Sequence, residues 1–536
     1  MTDLVLQLPP QRAATHEQLR TEAARAMGIQ PSSVGHITIT RRSIDARHGR
    51  VLMNLGLRVL MADEPLPSPP PPPTYRNVHS GTPVAVVGAG PAGLFAALRL
   101  LELGLRPIVL ERGRPVRERK RDVAALNRNQ PLNPESNYAF GEGGAGTFSD
   151  GKLYTRSRKR GDYRKILHVL CAHGASPEIL YEAHPHIGTD RLPQIITKIR
   201  QTIENHGGMV LFEAKATALC LSNGRAVGVE LADGRRIDAA AVVLATGHSA
   251  RDVYDMLLRH DVELQAKPFA MGVRVEHPQA LIDHIQYHGT PRGELLPAAA
   301  YSLVEQVDGR GVYSFCMCPG GFVVPASTEA SGMVVNGMSP SRRSSPFANS
   351  GIVVEVREAD TQSFSQRGVL AGLAMQEHLE QLARQHSGAG LVAPAQRLAD
   401  FVRGTPSDSM PRCSYLPGLT ASPLSQWLPR PIGQRLQQGF AAFARKMRGF
   451  VTNEAVVLGV ESRTSSPVRI PRHPHTLQHI GVAGLFPIGE GAGYAGGIVS
   501  SALDGDRCAE AVGLYLGTAH LNESAAVSST AAPRTR

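Results

Sequence analysis

Residues 83–113 read PVAVVGAGPAGLFAALRLLELGLRPIVLERG. The apolar run Val84–Val87 predicts a short buried strand that leads directly into Gly88-x-Gly90-x-x-Gly93. The apolar stretch from about Ala92 to Leu103 predicts a helix, and Pro107–Leu110 a second strand ending on an acid, Glu111. Each position has a physical use. Gly88 permits a tight turn, Gly90 leaves the backbone open to a pyrophosphate, and Gly93 lets helix and strand approach closely. The helix N-terminus adds unpaired N–H groups and the positive end of its dipole. Glu111 stands roughly 20 residues past the turn, the offset of an acid that binds a ribose hydroxyl. Strand, turn, helix, strand and acid in this order predict an adenine-dinucleotide site on a doubly wound α/β sheet. Pro91, Ala92 and Arg112, which flank the turn and the acid, belong to the predicted site.

At 536 residues the chain is long enough for two or three domains with large cores. A hydrophobic fraction of 42% with 19% charged residues describes a soluble globular protein. No apolar stretch reaches the roughly 18 residues of a membrane span, and Met1–Pro10 lacks the pattern of a signal peptide. Six cysteines in so long a chain do not make a disulfide framework and suit a reducing cytoplasm. The net charge of +11 raises the question of a nucleic-acid partner, with basic residues clustered at Arg112–Arg121 and Arg156–Arg164. No zinc-finger spacing, RNP-like motif or aromatic-interleaved basic helix accompanies them. A solvated basic face, or arginine-rich loops beside a pyrophosphate, is the better reading, with a large anionic partner still open on charge alone.

Outward from the glycine turn, the chain divides into units. Residues 1–63 predict a small α+β module: a strand at Leu4–Leu8, a capping box at Thr15–Gln18, a helix ending at Gly28, and strands near Ile37–Thr40 and Val51–Leu60. The order β-α-β-β suggests half or more of a ferredoxin-like fold. Residues 64–80 form a linker with the proline run Pro69–Pro73, an extended spacer. The dinucleotide domain is expected over 81–266 and again over 461–517, with a mixed α/β substrate domain inserted at 267–460 and a disordered tail at 518–536. Within the first part, Ala226–Leu231 and Arg236–Ile237 flank an Asp233-Gly234 hairpin turn, and Ala240–Leu244 reads as a buried strand.

Ala245-Thr246-Gly247 and Gly489-Glu490-Gly491 resemble the second and third FAD fingerprints of glutathione-reductase-like flavoproteins. In those proteins the last motif is usually Gly-Asp and its acid binds the ribityl chain, so the resemblance gives Glu490 that part with a side chain one methylene longer. Gly491-x-Gly493-x-x-Gly496 also matches dinucleotide spacing, but no second strand with a terminal acid follows. It reads better as a turn that aims a helix, beginning near Gly497 and Ile498, at the flavin. The glycine-dense Phe140–Leu153 has few side chains to pack, which suits close backbone approach to a flat or charged group. Gly143, Gly144, Ala145 and Gly146 there, and Ala216 beyond it, are expected to touch the cofactor. Disulfide reductases of this plan carry redox cysteines in that segment; here Ala145, Thr147 and Ser149 stand instead, and no cysteine precedes Cys171.

Taken together, FGEGGAGTFSDGKLYTR (140–156), ATGHSARD (245–252), GVRVEHPQ (272–279), SFCMCPGG (314–321), ESRTSSPVRIPR (461–472) and IGEGAGYAGGIVSSALDG (488–505) resemble the bacterial FAD-dependent dehydrogenase-like proteins, the NAD(P)/FAD-dependent oxidoreductases. The resemblance covers about 75–515. It implies FAD, the inserted-domain architecture and hydride transfer through flavin N5, with NAD(P)H a candidate electron donor, and it names no substrate.

Candidates for chemistry are His248 after the Thr-Gly turn, the pair Cys316-x-Cys318, and Arg463. Residues i and i+2 of a strand share a face, so the two thiols read either as a redox pair or as packed sulfurs. Arg463, Ser465, Ser466 and Arg469 form a polar cluster that reads as an anion clamp or as a domain hinge. Asp150, Lys152 and Tyr494 fall on segments expected near the ring. No metal site is expected, since one Cys-x-Cys supplies only two soft ligands. The expected partner is a small molecule. Two readings of other classes stay open: a flavin-containing RNA- or tRNA-associated protein, and a nonenzymatic redox-sensing flavoprotein.

Overall fold

Five parallel strands in the spatial order Leu485–Pro487, Ala241–Leu244, Pro83–Val87, Arg106–Leu110, Met209–Leu211 form the sheet that positions the site. Numbered along the chain, this is 5-4-1-2-3, the doubly wound order. The computed structural model describes residues 1–47, 49–68, 71–155 and 161–518. Pro69 and Pro70 of the proline run, residues 156–160 of the second basic stretch and residues 519–536 of the expected tail lie outside the described residues.

Side-chain alternation explains why these strands read as apolar runs. Val84 and Val86 face one core with Val109, Val210, Ala241 and Val243, while Ala85 and Val87 face the other with Ile108, Leu110, Val242 and Leu244. A parallel sheet covered on both faces needs apolar residues at every position. Helices Pro91–Glu102, Leu192–Asn205 and Ile498–Tyr515 cover the first face. A three-stranded antiparallel meander (Ala216–Ser222, Arg225–Leu231, Arg236–Asp238) and helix Arg251–Arg259 cover the second. Helices Pro91–Glu102 and Ile498–Tyr515 cross closely at Gly505, where a Cβ would stand 2.1 Å from the Ala92 carbonyl oxygen.

Between Leu244 and Leu485 the chain builds a second, seven-stranded sheet. Its order is Val304–Val307, Arg310–Cys318, Phe347–Val356, Phe269–Pro278, Val456–Glu461, Ala393–Arg397, Leu419–Ala421. All its pairings are antiparallel except that of the last two strands. Helix Arg430–Lys446 buries Leu436, Phe440 and Phe443 against it.

At the N-terminus, Leu52–Met61 lies between Thr2–Leu8 and Val34–Asp45 in an antiparallel sheet. Helix His16–Met27 packs Leu19, Ala23 and Ala24 against Leu55, Leu57 and Val59. Thr15 Oγ1 accepts from Gln18 N at 3.2 Å while Gln18 Oε1 accepts from Thr15 N at 3.0 Å, and Gly28 closes the helix. The strand Val34–Asp45 runs well past the apolar segment Ile37–Thr40. Its polar end is held by the ladder and by the body of the protein: Arg42 N donates to Tyr181 O at 2.8 Å, and Ala183 N to Arg42 O at 2.9 Å. Arg42 also pairs with Glu182 and Glu178.

Candidate functional site

In an open parallel sheet, the crevice for a ligand lies beyond the carboxyl ends of the strands where the order reverses. Here that point falls between Pro83–Val87 and Ala241–Leu244, and a cavity of about 410 Å³ opens there. From the first turn it is lined by Gly88, Gly90, Pro91 and Ala92, and from the second strand by Leu110, Glu111 and Arg112. The glycine-dense segment contributes Gly144, Ala145 and Gly146, and Ala216 closes one side. Thr246, Gly247, Gly489, Glu490, Gly497 and Ile498 line the remainder on the flavin-domain side. Two helix N-termini, at Gly90–Pro91 and Gly497–Ile498, therefore open into one cavity.

Gly93 and Gly143, expected at the cofactor, do not line it. A Cβ on Gly93 would stand 1.9 Å from Gly88 O, and one on Gly143 1.9 Å from Thr147 Oγ1, so both serve close packing behind the cavity wall. Gly90 is the opposite case. Its Cβ would meet only Gly144 Cα, at 4.0 Å, so the space it leaves belongs to the cavity.

Glu111 is 4% exposed, and its carboxylate accepts from Ala89 N at 3.0 Å, Gly113 N at 3.0 Å and Gly141 N at 2.9 Å. A carboxylate has about four acceptor sites, so one remains for a ribose hydroxyl. The same three bonds tie the first turn, the second strand end and the glycine-dense segment to one group. Arg112 pairs with Asp252 at 2.7 Å and lies over the Phe140 ring at 4.5 Å.

Sequence reasoning missed Arg119, the fully buried arginine that holds the glycine-dense segment. It donates to the carbonyls of Asn137 (2.9 Å), Tyr138 (3.0 Å), Gly141 (3.2 Å) and Glu142 (2.7 Å). Burial lowers it to about 10, so it stays charged at neutral pH. A signal was present: Arg119 shares a helical face with Val123 and Leu126, an apolar stripe on which a cation needs internal partners.

His248 lines the cavity with Nδ1 3.4 Å from Glu490 Oε1, while its buried Nε2 has no partner among the described residues. Asp150 and Lys152 line the cavity; Tyr494 does not, because it lies under Arg472, whose guanidinium is 3.8 Å from the ring centre. Asp150 is held down to about 2: burial opposes ionisation, but Lys152, Arg343 and Ser339 outweigh it. From the seven-stranded sheet and its loops come Phe315, Cys316, Arg463 and Thr464, and from a separate two-stranded sheet, Phe322–Pro325 with Val335–Met338, comes Asn336. Cys318 is fully buried behind this wall.

In the polar cluster at 463–469, Arg463 is engaged by the protein itself rather than free to clamp an anion. Arg463 holds Glu380 through Nε (3.1 Å) and a terminal nitrogen (3.0 Å), and its other terminal nitrogen donates to Thr328 at 2.8 Å. Arg251 grips the same carboxylate at 2.7 and 3.0 Å, and Ser462 donates to it at 2.6 Å. Burial disfavours the Glu380 carboxylate, yet Arg463 and Arg251 hold it down to about 2. Ser466 bonds Tyr254 and the Val468 carbonyl, and Arg469 pairs in a two-stranded ladder with Gln265. Through Arg463 and Ser466 the cluster is a clasp between the two sheets' segments, while Arg469 is exposed.

The residues present fit an adenine-dinucleotide cofactor: an open glycine turn, an acid with a free acceptor site, and two helix N-termini in one cavity. The fold and site define a dinucleotide-binding α/β protein, and the comparisons identify the dinucleotide. Residues 81–125 match the FAD binding domain, and 268–464 match the FAD-dependent protein, C-terminal domain-like family. Residues 187–277 match glucose inhibited division protein A, and 2–60 a domain of unknown function. An uncharacterized protein of Clostridium beijerinckii is 40% identical over 521 residues, covering 92% of this chain and 95% of that one. The chain belongs to the same family as that protein, a family of FAD-binding flavoproteins. Among solved structures, it is similar to the flavin-dependent brominase Bmp2 (13% identity, 82% of this chain and 80% of that one, TM-score 0.36). It is also similar to glycine oxidase from Bacillus cereus (12% identity, 82% and 96%, TM-score 0.30). Scores this low carry no inference about reaction. Among the described residues no helix is long and apolar enough to cross a membrane, and no group of three or more His, Cys, Asp or Glu is placed to hold a metal.

Proposed function

We propose that this flavoprotein is an oxidoreductase that moves a hydride between its flavin and a small organic substrate. The observation that carries this reading is the composition of the cavity wall. One side is the dinucleotide-binding turn and acid, the other is Phe315 and Cys316 of the seven-stranded sheet with Asn336 of the two-stranded sheet Phe322–Pro325/Val335–Met338, so a second ligand has a place to meet the first. When bound, FAD supplies a hydride acceptor or donor at its N5.

The chain's residues have separate tasks. Gly90 and the N-terminus of helix Pro91–Glu102 take the pyrophosphate, and Glu111 offers its free acceptor site to the ribose. Glu490 stands beside Gly489 for the ribityl hydroxyls. His248 lines the cavity with Nδ1 against Glu490, and its buried Nε2 has no partner among the described residues. Arg119 and Glu111 fix the glycine-dense segment against the cavity. A nicotinamide donor has no second strand–turn–helix unit among the described residues, because Gly491–Gly496 opens a helix of the same sheet's covering layer. NAD(P)H or the organic substrate would therefore enter from the seven-stranded side.

Anaerobic mixing with NADH, NADPH and then a panel of metabolites, followed at the flavin band, tests the proposal. Bleaching by at least one compound, at a rate that saturates with its concentration, is the expected result. A protein that stays colourless after reconstitution with FAD, or a yellow protein that no donor bleaches, would refute it.

A further inference from the structure

Cys316 and Cys318 have no part in holding a dinucleotide, yet Cys316 lines the same cavity as Gly90 and Glu111. Lys152 Nζ, from the glycine-dense segment, stands 3.6 Å from each of the two sulfurs. Strand Arg310–Cys318 carries a bulge between Phe315 and Cys318 where it pairs with Phe347–Val356, and Cys316 sits in it at φ +48°. A bulge re-aims side chains and is over-represented beside active sites, and a non-glycine residue at positive φ persists only where its surroundings hold it. Here they do. Arg274, fully buried and paired with Glu461 at 2.6 Å, donates to the Cys316 carbonyl at 2.9 Å.

The ionisation of the two sulfurs is also shifted in opposite directions. The hydrogen bond from Cys318, with Lys152 and Arg274 nearby, holds the Cys316 thiol well below the usual value; the same bond and burial push Cys318 well above it. A cysteine at the cavity wall whose ionisation is eased, with a second thiol behind it, is the arrangement that disulfide formation requires. Packed structural sulfurs would have apolar neighbours; these have a lysine.

We propose that Cys316 and Cys318 are a redox-active dithiol that passes an electron pair to the flavin bound in the same cavity, with Lys152 as a positioning residue. This rests on the flavin reading above. The Cys316 thiolate and the Cys318 thiol form one S–S bond. The electron pair goes to oxidised FAD together with the Cys318 proton, so thiolate, thiol and FAD give disulfide and the reduced anionic flavin. The reverse step recharges the dithiol, and the bulge places the exposed member where a thiol or disulfide substrate in the cavity could exchange with it.

The test uses the full-length yellow holoprotein. In an anaerobic dithionite titration, air-oxidised wild type should take up two electron pairs per flavin in all, whereas Cys318→Ser should take up only one. Mass spectrometry should find the oxidised peptide that carries both cysteines lighter by two hydrogens and inert to iodoacetamide. Lys152→Met should move the pH profile of Cys316 alkylation upward and slow the reaction about tenfold at neutral pH. A yellow wild-type protein that takes up a single pair and leaves both thiols alkylatable after air oxidation overturns the dithiol alone. An unshifted alkylation profile in Lys152→Met overturns the lysine's part. A protein that will not bind FAD overturns the cofactor reading and the dithiol with it.

Discussion

Gly90 and Arg119 show how single residues act on the site in opposite ways. Because a Cβ at Gly90 meets nothing closer than 4.0 Å, Gly90→Val should fold normally and fill space that the pyrophosphate needs. The variant is expected to keep the wild-type melting temperature of the apoprotein while purifying without yellow colour; full flavin content would place the cofactor elsewhere. Arg119→Met should do the reverse, leaving the chemistry in place and loosening its support. Gly141 O keeps Gly144 N and Glu142 O keeps Thr147 Oγ1, but the carbonyls of Asn137 and Tyr138 lose their donor, and each unsatisfied group costs about 1–3 kcal/mol, so urea denaturation should show a loss of at least about 2 kcal/mol. Flavin should dissociate faster from the variant, because residues 137–142 are no longer tied down.

At the scale of elements, the crossing of helices Pro91–Glu102 and Ile498–Tyr515 sets where their N-termini stand. Gly505 is the contact, with no room for even a methyl group against Ala92 O. Gly505→Val should therefore push the helices apart, destabilise the protein by about 1–3 kcal/mol as overpacking does, and weaken flavin binding although residue 505 lines no part of the cavity. A thermal melt and a flavin-binding titration check both halves. The N-terminal element is a different matter. Its capping box, its αL stop at Gly28 and its three strands were legible from Thr15–Gln18, Gly28 and the apolar runs because those signals are local. The length of Val34–Asp45 was not, since its polar half is ordered by the neighbouring strand and by Tyr181 and Ala183.

For the whole molecule, two carboxylates join the segments around the two sheets. Glu380 is clasped by Arg251 and Arg463, and Asp150 by Lys152, Arg343 and Ser339. Both ionise near 2 in the folded protein, below their ordinary values of 4.5 and 3.8. A depressed carboxylate stabilises the fold fully above its ordinary value and loses that contribution as pH falls toward the folded one. The contribution of these two carboxylates is thus expected to be flat near neutrality and to drop below about pH 4.5, with Glu380 accounting for about 3 kcal/mol. Urea denaturation across that range measures it. Glu380→Gln should cost about 3–5 kcal/mol at neutral pH, because two buried guanidinium groups lose their counterion, and should flatten the acid limb. An unchanged acid limb in the variant would assign the effect to other groups.

Residues 83–113 carried the parallel sheet, the cofactor turn and the acid by themselves, because a strand, a tight turn and a helix are built from neighbours in sequence. The motif spacing sorted the glycines at 88, 90 and 93 into turn, ligand face and packing, but it could not show that Gly143 packs on Thr147 rather than lining the cavity; that depends on what stands opposite it. Arg463 read from the sequence as an anion clamp or a domain hinge, and Glu380, 83 positions away, decides between them by holding it. Lys152 met Cys316 and Cys318 only through the folding of one sheet's loop against the other sheet's edge. Local backbone preference is written along the chain. Pairings of charge and sulfur over such separations exist only once burial has brought distant segments to within a few ångströms.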